Sequence, residues 1–204
     1  MANSHHFLSR KLHSLLGLVP VGLFLLVHLT VNYQATKGAE AFNSGVGFME
    51  SLPFLIVLEF VFIYIPLLFH AIYGLYIAFQ AKNNVGTFSY FRNQMFLWQR
   101  ITGVITLIFL AWHVFQTRIQ FALGNVELNY DMMANVLSNP GFMIFYIIGT
   151  LAAVFHFSNG IWAFLVHWGI TVGPRSQRIA TYVTMIIFVV VGFIGVRAIT
   201  AFIQ

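Results

Sequence analysis

Residues 60–79 read F-V-F-I-Y-I-P-L-L-F-H-A-I-Y-G-L-Y-I-A-F. The run holds no acid, no lysine and no arginine, and it is long enough as a helix to cross the ~30 Å hydrocarbon layer of a bilayer. Its one strongly ionisable side chain is His70. An unpartnered imidazole at that depth is costly, so a mid-span histidine points to function. The chain repeats the arrangement at His28, His113 and His156, in steps of 42, 43 and 43 residues.

The rest of the chain fits the same solvent. Of 204 residues, 59% are hydrophobic and 7% charged, where a soluble domain carries about a quarter charged. The expected fold class is all-α, an integral membrane bundle of five transmembrane helices forming one domain over residues 1–204. The spans are expected at about 12–33, 54–81, 98–120, 141–168 and 178–202. Residues 1–11 read as a polar tail, and 34–53, 82–97, 121–140 and 169–177 as loops. Pro20 is expected to bend the first span, and Gly192 and Gly195 to allow close packing of the fifth. No small-residue cleavage site follows the first apolar run, so it reads as a retained span. With no cysteine, thiolate-held iron–sulfur clusters, c-type haem attachment and disulfides are excluded for this chain.

The net charge of +5 is a membrane-face signal rather than a nucleic-acid one. Arg10, Lys11, Lys82, Arg92, Arg100, Arg175 and Arg178 fall at one face. Lys37, Arg118 and Arg197 fall at the other, with most of the acids. The positive-inside bias then puts the N-terminus in the cytoplasm and the C-terminus outside. Trp98 and Trp168 both fall at the inner interface, as an aromatic belt requires.

Depth sorts the four histidines into pairs. His28 lies nine residues from Lys37 and His113 five from Arg118, roughly 8–14 Å from the outer flank. His70 lies 17 residues from Pro53 and His156 sixteen from Pro140, about 24–26 Å from that flank. Two layers ~12 Å apart result. Two opposed imidazoles from different helices suit the axial positions of a haem iron. The expectation is two stacked b haems, with His28 and His113 on the outer iron and His70 and His156 on the inner. A single membrane histidine that hydrogen-bonds a neighbouring helix is ordinary; four at regular spacing and matched depth favour ligation.

Flanking residues refine this. Gly74 and Gly160 follow His70 and His156 at i+4, on the same helix face, and leave room for a flat macrocycle. Asn32 and Thr117 hold the corresponding outer positions and suggest a wetter site. His5 and His6 read as solvated tail. His13 and His167 sit at the inner interface, where they either snorkel or hydrogen-bond the inner haem's propionates. Glu59, eleven residues outward of His70, reads as an interfacial carboxylate or as a proton-exchange group for a quinone. Arg118 and Arg197 end their spans at headgroups or reach the outer propionates.

Several stretches resemble one family. H-S-L-L-G-L-V-P-V-G, A-E-A-F-N-S, S-L-P-F, Y-I-A-F-Q-A-K-N-N, H-F-S-N-G and I-T-V-G-P-R-S-Q-R are similar to the cytochrome b558 membrane anchor of Bacillus-type succinate:menaquinone oxidoreductase. The resemblance covers nearly the whole chain and puts the four histidines on axial-ligand positions. It implies five spans and two haem b, with His28 and His113 on a low-potential outer haem and His70 and His156 on a high-potential inner one. It also implies a flavoprotein subunit and an iron–sulfur subunit on the cytoplasmic face of a bacterial membrane. Electrons from succinate would pass through the haems to menaquinone, near Asn32, Glu59 and Thr117. No flavin or nucleotide fingerprint appears, so the succinate site belongs to the partners. The basic segments 82–99 and 171–177 are expected to dock them. Related fumarate reductases carry a carboxylate two residues before the fourth ligand; here that residue is Val154. Two other classes stay open: a b-type cytochrome anchor of another quinone-linked dehydrogenase, and a non-redox channel or transporter.

Overall fold

A computed structural model of the chain describes residues 2–82 and 84–203, with the side chains of 2–5 left aside. Every regular element among those residues is helical. Five helices are long and apolar enough to cross a membrane: His6–Lys37, Leu55–Gln80, Phe91–Ala122, Pro140–His167 and Pro174–Ala201. They are the first to fifth spans below. The end of the bundle holding Lys11, Lys82, Arg92 and Arg175 is the basic end. The end holding Glu40, Glu50, Glu127 and Asp131 is the acidic end.

The second and fourth spans keep their expected bounds to within one residue, and the first, third and fifth start earlier. Residues read as a polar tail are helical from Ala2. The third span starts at Phe91 rather than Trp98, which takes residues 91–97 out of the segment read as a loop, and the fifth starts at Pro174. The expected bounds followed apolarity alone, but a helix continues into the headgroup layer as long as its backbone bonds continue. Proline at the first turn of the fourth and fifth spans suits a position whose N–H has no helical partner. Asn139 caps the fourth, its Oδ1 accepting from Gly141 N at 2.8 Å and Phe142 N at 3.3 Å. The first span breaks at Val19–Pro20, as the missing proline N–H dictates. It ends in a 3-10 turn at Gly38, whose φ of 101° is one only glycine adopts freely.

Two expected loops contain helices. Ala39–Glu50 and Tyr130–Leu137 lie across the acidic end. Phe42, Met133 and Leu137 on them pack with Ala35, Tyr146, Ile199 and Phe202 into a buried apolar cluster. Tyr130 ties the cluster together: its N–H donates to Asn43 Oδ1 and its hydroxyl to Ala201 O, each at 2.8 Å. The second span contributes nothing to this cap. Between the fourth and fifth spans the helices approach closely, since a Cβ at Gly195 would stand 2.7 Å from Thr150 Cγ2 and one at Gly192 3.3 Å from Leu151. Two spans carry π-helical turns near the acidic end, Phe60–Tyr64 in the second and Phe115–Ile119 in the third.

Candidate functional site: two imidazole pairs in the bundle core

Four spans each deliver one histidine, and the side chains meet in two pairs. His28 faces His113 with ring centroids 5.7 Å apart. His70 faces His156 at 5.9 Å. The pairing expected from depth is therefore the one observed. Ten residues separate Tyr146 from His156 on the fourth span and Gly103 from His113 on the third, which puts the levels about 15 Å apart.

The spacing has chemical content. Two in-line metal–imidazole bonds of ~2 Å place facing nitrogens ~4 Å apart and ring centroids at about 6 Å. The ring planes cross at 75° and 84°, which two rings sharing one bonding axis can do. The donor set is imidazole alone, and no group of three or more His, Cys, Asp or Glu that could hold a metal ion occurs among the described residues. A ligand using these pairs must bring its own equatorial donors, as a haem does.

Each basic-end histidine sits in a socket on a neighbouring span. His70 Nδ1 lies 2.9 Å from His13 O, and a Cβ on Gly17 would run into the His70 ring. His156 Nδ1 lies 2.9 Å from Gln99 O, and a Cβ on Gly103 would stand 2.9 Å from the His156 ring. In both cases a carbonyl fixes Nδ1 as the protonated nitrogen and leaves Nε2 free to coordinate. Gln99 closes its socket by donating Nε2 to His156 O at 2.9 Å, and Asn159 holds Gln99 Oε1 at 2.7 Å.

The sockets are copies of each other. His13 and Gln99, Gly17 and Gly103, His70 and His156, and Gly74 and Gly160 are each 86 residues apart. His28 and His113, and Asn32 and Thr117, are 85 apart. The first two spans are thus repeated, in the same orientation, as the third and fourth. This offset is the one trace that Gly17 and Gly103 leave in the sequence; by type and position they look like any membrane glycine.

The acidic-end pair is held differently. His113 Nδ1 lies 3.4 Å from the buried Tyr146 hydroxyl, which donates to Gln116 Oε1 at 3.0 Å. Asn32 and Thr117 turn back on their own helices, Nδ2 to His28 O at 2.8 Å and Oγ1 to His113 O at 2.6 Å. Thr117 is buried, so the site is drier than its polar residues suggested. Glu59 pairs with Arg118 at 2.9 Å, the one ion pair among the described residues.

The remaining candidates separate. The His13 ring stacks on His70 at 4.1 Å and fills the space beside Gly74, where a Cβ would stand 3.0 Å from it. The room opposite Gly74 is therefore taken by an imidazole. Gly160 faces Gln99. His13 Nδ1 and the Tyr73 hydroxyl are both buried without a partner, their rings 5.8 Å apart. Those two orphaned groups beside the basic-end pair suit the acidic substituents of a haem. His167 instead lies against Phe7, eleven residues beyond His156, about 16 Å along the helix. His6 is exposed, and the side chain of His5 falls outside the described residues.

Two comparisons with known proteins place the chain in a family. Residues 82–196 match the family model described as succinate dehydrogenase/fumarate reductase transmembrane subunit. The chain is also 59% identical over 203 residues to the succinate dehydrogenase cytochrome b558 subunit of Bacillus subtilis (strain 168), covering 100% of both chains. The chain belongs to the succinate dehydrogenase/fumarate reductase transmembrane-subunit family. No solved structure matches it. The family segment holds His113 and His156, and the similarity to the Bacillus subunit extends over His28 and His70 as well. In this family member both histidine pairs therefore combine a residue inside that segment with one before it.

Proposed function

We propose that the chain is the membrane-anchor and electron-transfer subunit of a succinate dehydrogenase, carrying electrons from an iron–sulfur subunit through two haem b to menaquinone. The observation that carries this is the pair of facing imidazole couples, each built from two different spans. His28 and His113 would hold one haem and His70 and His156 the other. Bound there, the haems supply one-electron carriers at two depths of the bilayer.

The chain's own residues do the positioning. Backbone carbonyls of His13 and Gln99 orient the basic-end imidazoles, and Tyr146 orients His113. Buried His13 Nδ1 and Tyr73 hydroxyl would bind propionate. Apolar residues and the acidic-end cap exclude water. The basic end would face the cytoplasm, where Lys82, Arg175 and neighbouring residues dock the flavoprotein and iron–sulfur subunits. Asn32, Glu59 and Thr117 mark the quinone level, with Glu59 as the group exchanging protons.

The test is haem quantitation with a reduced-minus-oxidised spectrum on the wild-type complex and on four histidine-to-alanine variants. Two low-spin b centres per chain are expected. His28→Ala or His113→Ala removes one, and His70→Ala or His156→Ala the other. Fewer than two centres in the wild type, or both surviving in His70→Ala, overturns the proposal.

A further inference from the structure

The acidic end is closed on one side and open on the other. The cap packs with residues of the first, third, fourth and fifth spans, Phe109 among them, and no residue of the second takes part. On the uncovered side, a cavity of about 440 Å³ is lined by Glu50, Phe54, Leu55, Val57, Arg118 and Phe121. That lies within the roughly 300–1,000 Å³ range of small-molecule sites. Its walls are apolar on the second-span side, and Arg118 brings a guanidinium to its lining.

Three further features converge there. The Glu59–Arg118 pair crosses from the second span to the third beside the cavity. Both partners adjoin π-helical turns, since Phe60–Tyr64 begins right after Glu59 and Phe115–Ile119 contains Arg118. Such turns loosen the hydrogen-bond ladder and cluster at functional sites. Phe54, on the cavity wall, is the one non-glycine residue with positive φ among the described residues, at 56°. A bulky side chain adopts that conformation only under strain, and strain of this kind gathers at ligand sites. The second span beyond this point presents Ile56, Val57, Phe60 and Val61 outward, so the cavity adjoins lipid.

We propose that this cavity is the entrance subsite for menaquinone, and that the Glu59–Arg118 ion pair is a latch between the second and third spans. The ring passes the latch to reach the His28–His113 level, and the isoprenoid tail stays against Leu55, Ile56 and Val57. An apolar bicyclic ring with two carbonyl oxygens fits apolar walls with one guanidinium among them. This rests on the outer-site reading given above. Opening separates the carboxylate from the guanidinium, and no covalent step is involved.

This chain lacks cysteine, so a bridge within it can form only between the two introduced residues. In the assembled complex, the double variant Glu59→Cys/Arg118→Cys is bridged with a bis-methanethiosulfonate reagent and then released with a thiol reductant. Menaquinone with two isoprene units is the probe, followed through its perturbation of the outer haem spectrum. Comparing bridged and released forms of one protein cancels the effect of the substitutions. The expected result is association and dissociation both slowed at least tenfold when bridged, with Kd little changed, and both restored on release. Equal rates in the two forms overturn the latch while leaving the outer site intact. A probe that perturbs only the inner haem, or neither, overturns the outer site and the latch with it. Arg118→Gln is a second, independent check: faster association and dissociation support the latch, and unchanged rates refute it.

Discussion

At the scale of single residues, the tightest demands fall on glycine rather than histidine. A methyl group at Gly17 has no place to go unless His70 leaves its bond to His13 O, and Gly103 stands in the same relation to His156. Overpacking of this kind costs about 1–3 kcal/mol. Gly17→Ala and Gly103→Ala are each expected to weaken haem retention at the basic-end pair roughly 5- to 150-fold, with the other pair intact; haem content and low-temperature spectra of the two variants decide this. Tyr146→Phe removes the oxygen that His113 Nδ1 faces and leaves Gln116 Oε1 without its donor. An imidazole that loses its hydrogen-bond partner becomes a weaker donor to metal. The potential of the acidic-end centre should rise and that of the basic-end centre stay put in a redox titration. The histidines themselves were legible because an ionisable residue in an apolar run stands out. Their acceptors were not, since a backbone carbonyl has no sequence signature and Gln99 looks like an interfacial residue.

At the scale of elements, five spans were readable from apolar length, as were the ends of the second and fourth, whereas the first, third and fifth begin in polar residues. The helix Ala39–Glu50 escaped notice because Gly45 and Gly47 argue against helix locally; burial of Phe42 against Phe202 overrides them. The π-turns were equally hidden, as nothing in F-V-F-I-Y or F-Q-T-R-I distinguishes an i+5 bond from an i+4 bond. Glu59 and Arg118 are 59 residues apart, and only the packing of the second span on the third reveals their pairing. Caps give an element-scale prediction. Asn139→Ala removes the side chain that serves two N–H groups at the start of the fourth span, and should cost ~1 kcal/mol. Thermal unfolding of the detergent-solubilised complex should show a lower midpoint with unchanged haem spectra.

At the scale of the whole molecule, five spans put the two chain ends on opposite sides of the bilayer, and charge decides which is which. If the basic end is cytoplasmic, an impermeant thiol reagent added outside intact cells should label Asn125→Cys and spare Lys82→Cys. The reverse labelling would invert every statement about inside and outside. Placing the quinone at the acidic end also has an energetic consequence. Electrons entering from the cytoplasm would meet protons drawn from the other side, so forward turnover consumes membrane potential. Succinate–menaquinone activity in sealed vesicles should fall on adding an uncoupler, and insensitivity would contradict the arrangement.

The 86-residue repeat has one more implication. Each imidazole couple joins the same position in two copies of a two-span unit. Copies that run in the same direction through a bilayer are related by rotation about its normal. If that rotation is a half-turn, the midpoint of each couple falls on its axis, and one axis serves both. The two irons would stand in a straight column perpendicular to the membrane, with no sideways offset for an electron to cover.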